Sequence, residues 1–350
     1  MYIRQMSGDI VHYPSIELDM TVSDLKERIS NDPYFETPEP YRIRLFVEEG
    51  IGYNVLNDSA TLESYGIEKG REVEIFIDDP IIDTYHGSIG ADIEVKESGC
   101  VCVIGDNLYM TDRKLDSVLI FRSDGEFIRR FGSGDGQFNY PSGICCDQDG
   151  TLYVADSGNH RIQVFDSSGR FVRTFGSIGK EESEFFYPSG VCVDSKGNLY
   201  VSDNGNHRIQ VFSPNGTFLK AFGTKGSEDG QFLDPLGVCV DSKDHLYVAD
   251  CGNDRVQVFD ENRIFLRKNN FQHQTLTGLC VDESDNLYVF EARRHIIHVF
   301  DVGGTFLKKF RIVENDNIQE YGSGGICLDK ENGNLYVSSF RNVQFFKRNT

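Results

Sequence analysis

Apolar and polar positions along most of this chain fall into short runs that stop at glycine, asparagine, aspartate or proline. The clearest stretch reads GVCVD (190–194), SKGN, LYVSD (199–203), NGNHR, IQVFS (209–213), PNG and TFLKAFG (217–223). Runs this short, rich in Val, Ile, Phe and Tyr and separated by residues that tolerate a positive φ, predict a four-stranded antiparallel meander. Nothing in 80–350 carries the period of a long amphipathic helix. The stretch recurs: a Leu-Tyr-Val triplet stands at 152–154, 199–201, 246–248, 287–289 and 335–337, with Leu108-Tyr109-Met110 upstream. The leucines are spaced by 44, 47, 47, 41 and 48 residues. That period belongs to propeller blades, not to shorter solenoid units, and six triplets predict six blades.

The last unit runs GGICLD (324–329), NLYVSS (334–339), VQFF (343–346) and stops before a fourth strand. Upstream of the first unit, residues 81–90 resemble the fourth strand and following loop of the second unit, 171–179. The expectation is that 81–86 pairs with 343–346 and closes the ring, which removes the exposed edges of an open array.

Residues 1–79 are different. Short apolar runs surround TVSDLKERI, where Thr21 can cap a helix over 22–30 whose Val22, Leu25 and Ile29 share a face. The final run alternates, placing Val73, Ile75 and Ile77 inward and Glu72, Glu74 and Phe76 outward. This region resembles a ubiquitin-like β-grasp, with about six additional residues in the middle and Asp78-Asp79-Pro80 where a conjugation tail would end in Gly-Gly. The resemblance implies a built-in recognition domain, whose apolar partner surface would correspond to Arg44 or Phe46 and Phe76. The alternative is a spacer, or a domain for one dedicated partner. A one-proline linker places it near the rim of the sixth blade, away from the long-loop face.

The repeats in 80–350 resemble NHL repeats, in the loop Gly136-Gln137-Phe138-Asn139-Tyr140-Pro141-Ser142-Gly143, the LYVAD strand and the run Asn-His-Arg-Ile. WD40 units are excluded by the absence of tryptophan, and kelch units run longer. The pattern departs in the first unit (Leu115-Asp116-Ser117), the fifth (Arg294-His295-Ile296) and the sixth. The resulting expectation is a mainly β chain: a ubiquitin-like domain over 1–79, then a six-bladed NHL propeller over 80–350. NHL propellers of tripartite-motif ubiquitin ligases select substrates. No RING or B-box cysteine–histidine array is present here, so a ligase activity would act in trans.

Charge and chemistry narrow the picture. The net charge is −20, shared evenly as −10 over 1–79 and −10 over 80–350. The long loops of one propeller face sum to about −6, the wrong sign for nucleic acid. Single-stranded RNA binding is the runner-up function. No signal segment or membrane-spanning run is evident, so the expectation is a cytoplasmic monomer without membrane contact.

Five of nine cysteines share one register of the first strand, Cys145, Cys192, Cys239, Cys280 and Cys327, with Cys100 or Cys102 in the first unit. They are read as small buried fillers. His160, His207 and His295 share another register, occupied by Asp116 and Asp254 in the first and fourth units. A zinc site, as in an amidating lyase with this type of propeller, would need these ligands on one ion, whereas repeats carry them apart. Asp156, Asp203 and Asp250 are instead expected to pair with Arg161, Arg208 and Arg255 within their own blades.

No nucleophile elbow, phosphate loop or metal motif occurs, and the sequence reading is a chain that is not an enzyme and takes no cofactor or metal. A metal-dependent propeller lyase is the third reading. The leading one is an adaptor for protein or peptide ligands, which would bind where loops break the repeat: Tyr140 and Tyr187 before their prolines, Asp234 in the same position of the next unit, then Arg293, Arg294, Tyr321 and Arg341. Aromatic and arginine side chains are the usual interface anchors. The alternative for each tyrosine is simple packing on its proline. A basic strip of Arg267, Lys268, Arg293 and Arg294 would favour an acidic or phosphorylated peptide.

Overall fold

The computed structural model describes the backbone of six strands within residues 1–94, and residues 95–132, 137–272, 275–312, 324–330, 332–339 and 342–347. Six four-stranded antiparallel sheets follow one another along the chain. The second, third and fourth blades share one plan. In the third, the strands are Pro188–Val193, Leu199–Asp203, Arg208–Phe212 and Phe218–Phe222, from the centre outward.

Alternation explains why the second strand of each blade is apolar on both faces. Leu152 and Val154 pack with Tyr109, Val118 and Ile120 of the first blade. Tyr153 and Ala155, pointing the other way, pack with Leu199 and Val201 of the third. Successive side chains of one strand thus enter two different inter-blade cores. The three cores that join the first four blades are each sealed by an aromatic from the loop between blades, Phe138, Phe185 and Phe232. Burying a side chain of this size contributes about 1.5–3 kcal/mol, so the interfaces between blades dominate the cohesion of the ring.

At the centre the inner strands come unusually close, and glycine permits it. A Cβ on Gly190 would lie 2.2 Å from the Leu236 carbonyl oxygen, and one on Gly143 would lie 2.2 Å from that of Ser189. Ser202 ties the same strands together: its Oγ accepts the Gly190 N–H at 2.6 Å and donates to the Leu236 carbonyl at 2.6 Å. The cysteines fill the adjacent layer. Cys102, and not Cys100, is the first-blade member of the register, since it stands opposite Tyr109 as Cys145 stands opposite Tyr153. All nine cysteines are free, and burial pushes the thiols of Cys145, Cys192, Cys239 and Cys280 well above their usual range.

Closure uses the N-terminal side of the ring, as expected, but three residues later. The outer strand of the sixth blade is Thr84–Ile89, paired with Asn342–Lys347 through Val343 opposite Ile89 and Phe346 opposite Tyr85. The reason for the shift is burial. Ile89 is packed among Val101, Leu119, Tyr336 and Val343, and it occupies the register that Phe175 holds opposite Ile162 in the second blade. Both are followed by glycine, so Ile89-Gly90 is the true counterpart of Phe175-Gly176.

Within residues 1–79, five strands form a separate sheet in the spatial order Ile10–His12, Tyr2–Arg4, Glu72–Ile77, Ile43–Glu49, Gly52–Val55. The first and last of these in sequence that pair, Tyr2–Arg4 and Glu72–Ile77, are parallel. Arg44 stands opposite Phe76, and Phe46 opposite Glu74. The expected helix over 22–30 and the linker at 78–80 lie outside the described residues.

Candidate functional site

In the second, third and fourth blades the loop after the second strand is built on a buried acid. Asp156 accepts hydrogen bonds from Arg161 Nε at 2.7 Å, Gln163 Nε2 at 2.8 Å, Asn159 Nδ2 at 2.9 Å and the Asn139 N–H at 2.8 Å. Asp203 and Asp250 repeat this set with Arg208, Gln210 and Asn206, and with Arg255, Gln257 and Asn253. The Asn, Arg and Gln of GNHRIQVF therefore exist to saturate one carboxylate per blade, as a buried charge requires. The pairing of acid and arginine within a blade is as expected.

The histidine of the motif does something else. His160 and His207 adopt the left-handed backbone, with φ of 53° and 55°, as do Asp116 at 47° and Asp254 at 50°. From there the side chain reaches the next blade. Asp116 Oδ1 accepts the N–H of Tyr140 at 2.7 Å, His160 Nδ1 that of Tyr187 at 3.0 Å, and His207 Nδ1 that of Asp234 at 3.1 Å. Tyr140, Tyr187 and Asp234 are themselves left-handed, with φ of 52°, 54° and 51°. For a bulky residue this costs about 1–2 kcal/mol, and the inter-blade hydrogen bond holds it there. His160 and His207 thus serve different blade junctions, and among the described residues no group of three or more His, Cys, Asp or Glu could hold a metal ion.

Two of these pinned residues meet. Tyr140 and Tyr187 line one cavity of about 440 Å³ on the loop face, with Arg113, Asn139, Ser142, Ser157, Ser189, Asn204 and Leu236. The tyrosines are 45% and 49% exposed, so each presents half its surface to a ligand. Tyr140 donates its hydroxyl proton to Glu97 at 2.9 Å and lies beneath the Arg113 guanidinium, 5.5 Å from the ring centre. Tyr187 meets the His160 ring edge-on at 4.6 Å and lies beside Phe186 at 4.8 Å. His160 in turn stacks on Phe186 at 5.6 Å with the planes 2° apart. The tyrosines are therefore held by partners well beyond their prolines.

Arg113 is the residue that sequence reasoning missed. It follows the strand-ending Asp112, a place taken in later units by Ser157, Asn204, Cys251 and Ala292. A cation among small uncharged residues is a break in the repeat, and the same search that found Tyr187 could have found it. Arg113 also lines the mouth of the narrow central channel, whose wall includes Gly143, Gly190 and Gly237.

The other expected positions do not join this cavity. Asp234 faces His207, with its carboxylate 3.4 Å from Nδ1. Arg294 lies 3.6 Å from the buried Glu291 carboxylate on the fifth blade, and Arg293 is exposed beside it. The side chains of Arg44, Phe46 and Phe76, and residues Tyr321 and Arg341, lie outside the described residues. The expected basic strip does not form. Arg267 reaches the Val302 carbonyl at 2.8 Å, in a turn on the opposite face, and Lys268 pairs with Asp229 at 2.8 Å.

Three stretches match the NHL repeat, 138–165, 185–212 and 232–259. No curated protein matches the chain. Among solved structures, a streptogramin B lyase aligns with a TM-score of 0.57 at 12% identity, over 75% of this chain and 97% of that one. Virginiamycin B lyase from Staphylococcus aureus gives 0.56 at 12%, over 75% and 99%. A gluconolactonase from Xanthomonas campestris gives 0.59 at 14%, over 77% and 100%.

At such identities the likeness carries the fold and no activity. It does overturn the expectation that this chain is not an enzyme. That expectation rested on missing motifs, and proteins named as lyases and a lactonase share this propeller architecture. Among the described residues no helix is long and apolar enough to cross a membrane. The chain is a six-bladed β-propeller whose second, third and fourth blades carry NHL repeats.

Proposed function

We propose that the loop face of the propeller is a ligand-binding surface for a protein or peptide, centred on the cavity between Arg113, Tyr140 and Tyr187. One observation carries the reading: two tyrosines are kept half-exposed in an unfavourable backbone conformation by hydrogen bonds from the preceding blade. Strain that the surroundings hold in place is characteristic of functional positions. The cavity joins rigid aromatic rings, a guanidinium and convergent polar groups, the composition of binding hot spots.

In the same reading residues 1–79 form a ubiquitin-like domain that recruits a second partner, and the chain acts as an adaptor, in keeping with its resemblance to substrate-selecting NHL propellers. The strand order around Tyr2–Arg4 and Glu72–Ile77, with those two parallel, supports that part. Arg293, Arg294, Tyr321 and Arg341 extend the proposed surface toward the fifth and sixth blades.

The test is peptide-display selection on the full chain, followed by binding measurements with Tyr140→Ala and Tyr187→Ala. Selected peptides should lose about tenfold or more in affinity with either change, about 1.4 kcal/mol. Peptides that bind both variants as well as the parent would place the ligand elsewhere and end this proposal.

A further inference from the structure

We infer that Cys102 and Cys146 form a redox-active pair, a dithiol that hydrogen peroxide converts to a disulfide stapling the first blade to the second. The pair stands apart from the loop-face reading and does not depend on it.

Strand alternation sets the two side chains face to face. Cys102 stands opposite Tyr109 and turns with it from the first blade into the core shared with the second. Cys146 stands opposite Leu152 and enters that same core from the second blade. At the other five junctions the cysteine of the repeated register meets an aliphatic residue in the place of Cys146. Cys145 shares its core with Val193, Cys192 with Val240, Cys239 with Val281, Cys280 with Leu328 and Cys327 with Val103. Packing explains one small side chain per junction. It does not explain a second cysteine where valine fills the same space in the neighbouring blades.

The two thiols are chemically unequal. Cys146 Sγ donates to the Val103 carbonyl at 3.4 Å, which holds the sulfur against the residue that follows Cys102. The hydrogen bond from the Cys102 thiol keeps Cys146 below the usual thiol range, although burial opposes it, and the same contact pushes Cys102 well above that range. Cys146 is partly exposed, whereas Cys102 is buried. An accessible thiol of lowered pKa beside a second thiol is the arrangement in which the first is oxidised and the second resolves it. Cys100, two residues before Cys102, is directed elsewhere, with its Sγ 3.8 Å from the Val101 carbonyl and 3.9 Å from that of Ile144.

The reaction transfers two electrons. The Cys146 thiolate attacks one peroxide oxygen; an S–O bond forms, the O–O bond breaks, and the departing hydroxide takes up the proton that Cys146 released. Cys146 is then a sulfenic acid. The Cys102 sulfur attacks it; the S–S bond forms, the S–O bond breaks, and hydroxide leaves with the Cys102 proton as a second water. Two thiols and one hydrogen peroxide thus give one disulfide and two waters.

The experiment treats the folded full-length protein with hydrogen peroxide, blocks the remaining thiols by alkylation and maps the links by mass spectrometry, with circular dichroism followed in parallel. The first disulfide to form should join Cys102 to Cys146, with two of the nine thiols lost to alkylation and both recovered by dithiothreitol. Cys146→Val, which installs the residue of the neighbouring junctions, should fold as the parent does and form no such link. Cys102→Ser, which keeps a hydroxyl donor, should leave Cys146 as a sulfenic acid that dimedone traps. Should Cys102→Ser fail to fold, the link map of the parent and of Cys146→Val decides.

A disulfide that joins other cysteines first would overturn the inference, as would Cys146 carried to sulfinic acid while Cys102 stays reduced. So would both thiols remaining reduced under peroxide that fully oxidises free cysteine. A Cys102–Cys146 link that forms only as the circular dichroism signal is lost would mark a pairing of the unfolded chain and would overturn it too. None of these outcomes bears on peptide binding at Tyr140 and Tyr187.

Discussion

Replacing His160 tests how the blades are fastened at the site. Its Nδ1 accepts the Tyr187 N–H at 3.0 Å, and its ring stacks on Phe186 and meets Tyr187. His160→Leu removes the acceptor and puts a branched apolar side chain at a backbone φ of 53°. The lost hydrogen bond is worth about 0.5–1.5 kcal/mol, and the ring contacts add about 0.5–1.5 kcal/mol. The expected loss is therefore about 1–3 kcal/mol. A propeller of this size should melt about 2–4 °C lower per kcal/mol.

The backbone N–H can only donate, so the bond requires an imidazole unprotonated at Nδ1. Burial of His160 favours that state and holds its pKa below the usual value, with Asp203 and Asp156 pulling more weakly the other way. Below about pH 6.5 the unfolded chain therefore binds a proton at this histidine that the folded chain resists. This contribution to stability is complete above about pH 6.5 and declines as pH falls toward the lowered pKa. His160→Asp reproduces the acceptor of the first blade, where Asp116 binds the Tyr140 N–H at 2.7 Å. It should keep the bond and lose this pH dependence. Thermal melts of the parent, His160→Leu and His160→Asp between pH 5 and 8 supply the comparison. The reasoning is wrong if the aspartate variant is as unstable as the leucine one, or if the difference between parent and aspartate variant is flat with pH.

Three further outcomes are expected. Gly190→Ala should cost about 1–3 kcal/mol or more in urea unfolding, because its methyl would lie 2.2 Å from the Leu236 carbonyl oxygen. Asp203→Ala, which leaves Arg208, Gln210 and Asn206 without their shared carboxylate, should cost about 3–5 kcal/mol by the same assay, whereas an exposed change such as Ser168→Ala should cost under about 0.5 kcal/mol. Removing residues 1–83 leaves the closing strand and should preserve cooperative melting of the propeller; removing 1–94 takes Thr84–Ile89 with it and should broaden the melt and promote association through the opened edge.

The repeat was legible because propeller geometry repeats its chemistry. Leu, Tyr and Val of the second strand enter fixed inter-blade cores, and Asp, Asn, Arg and Gln close on one carboxylate, so residue types recur wherever the environment recurs. The closing strand was harder to align: Thr84–Ile89 lacks the phenylalanines of its counterparts, and only Ile89-Gly90 marks the register. At the site, Tyr140 and Tyr187 could be singled out as breaks in the pattern. Arg113 could not be joined to them by spacing, because the cavity forms across blade boundaries and its members are distant in sequence. The histidines were legible only in part: a zinc site was set aside on the sequence because repeats carry such ligands apart, but nothing in the sequence shows that His160 and His207 each reach across to the following blade.

The central claim is that ligands bind the loop face at the junction of the first three blades. Hydrogen–deuterium exchange of the full chain, with and without a display-selected peptide, tests it most directly. The account predicts slowed exchange at 137–143 and 185–190, and none in the opposite-face turns at 166–169 and 213–216. Protection of those turns, or of neither region when the peptide is bound, would contradict it.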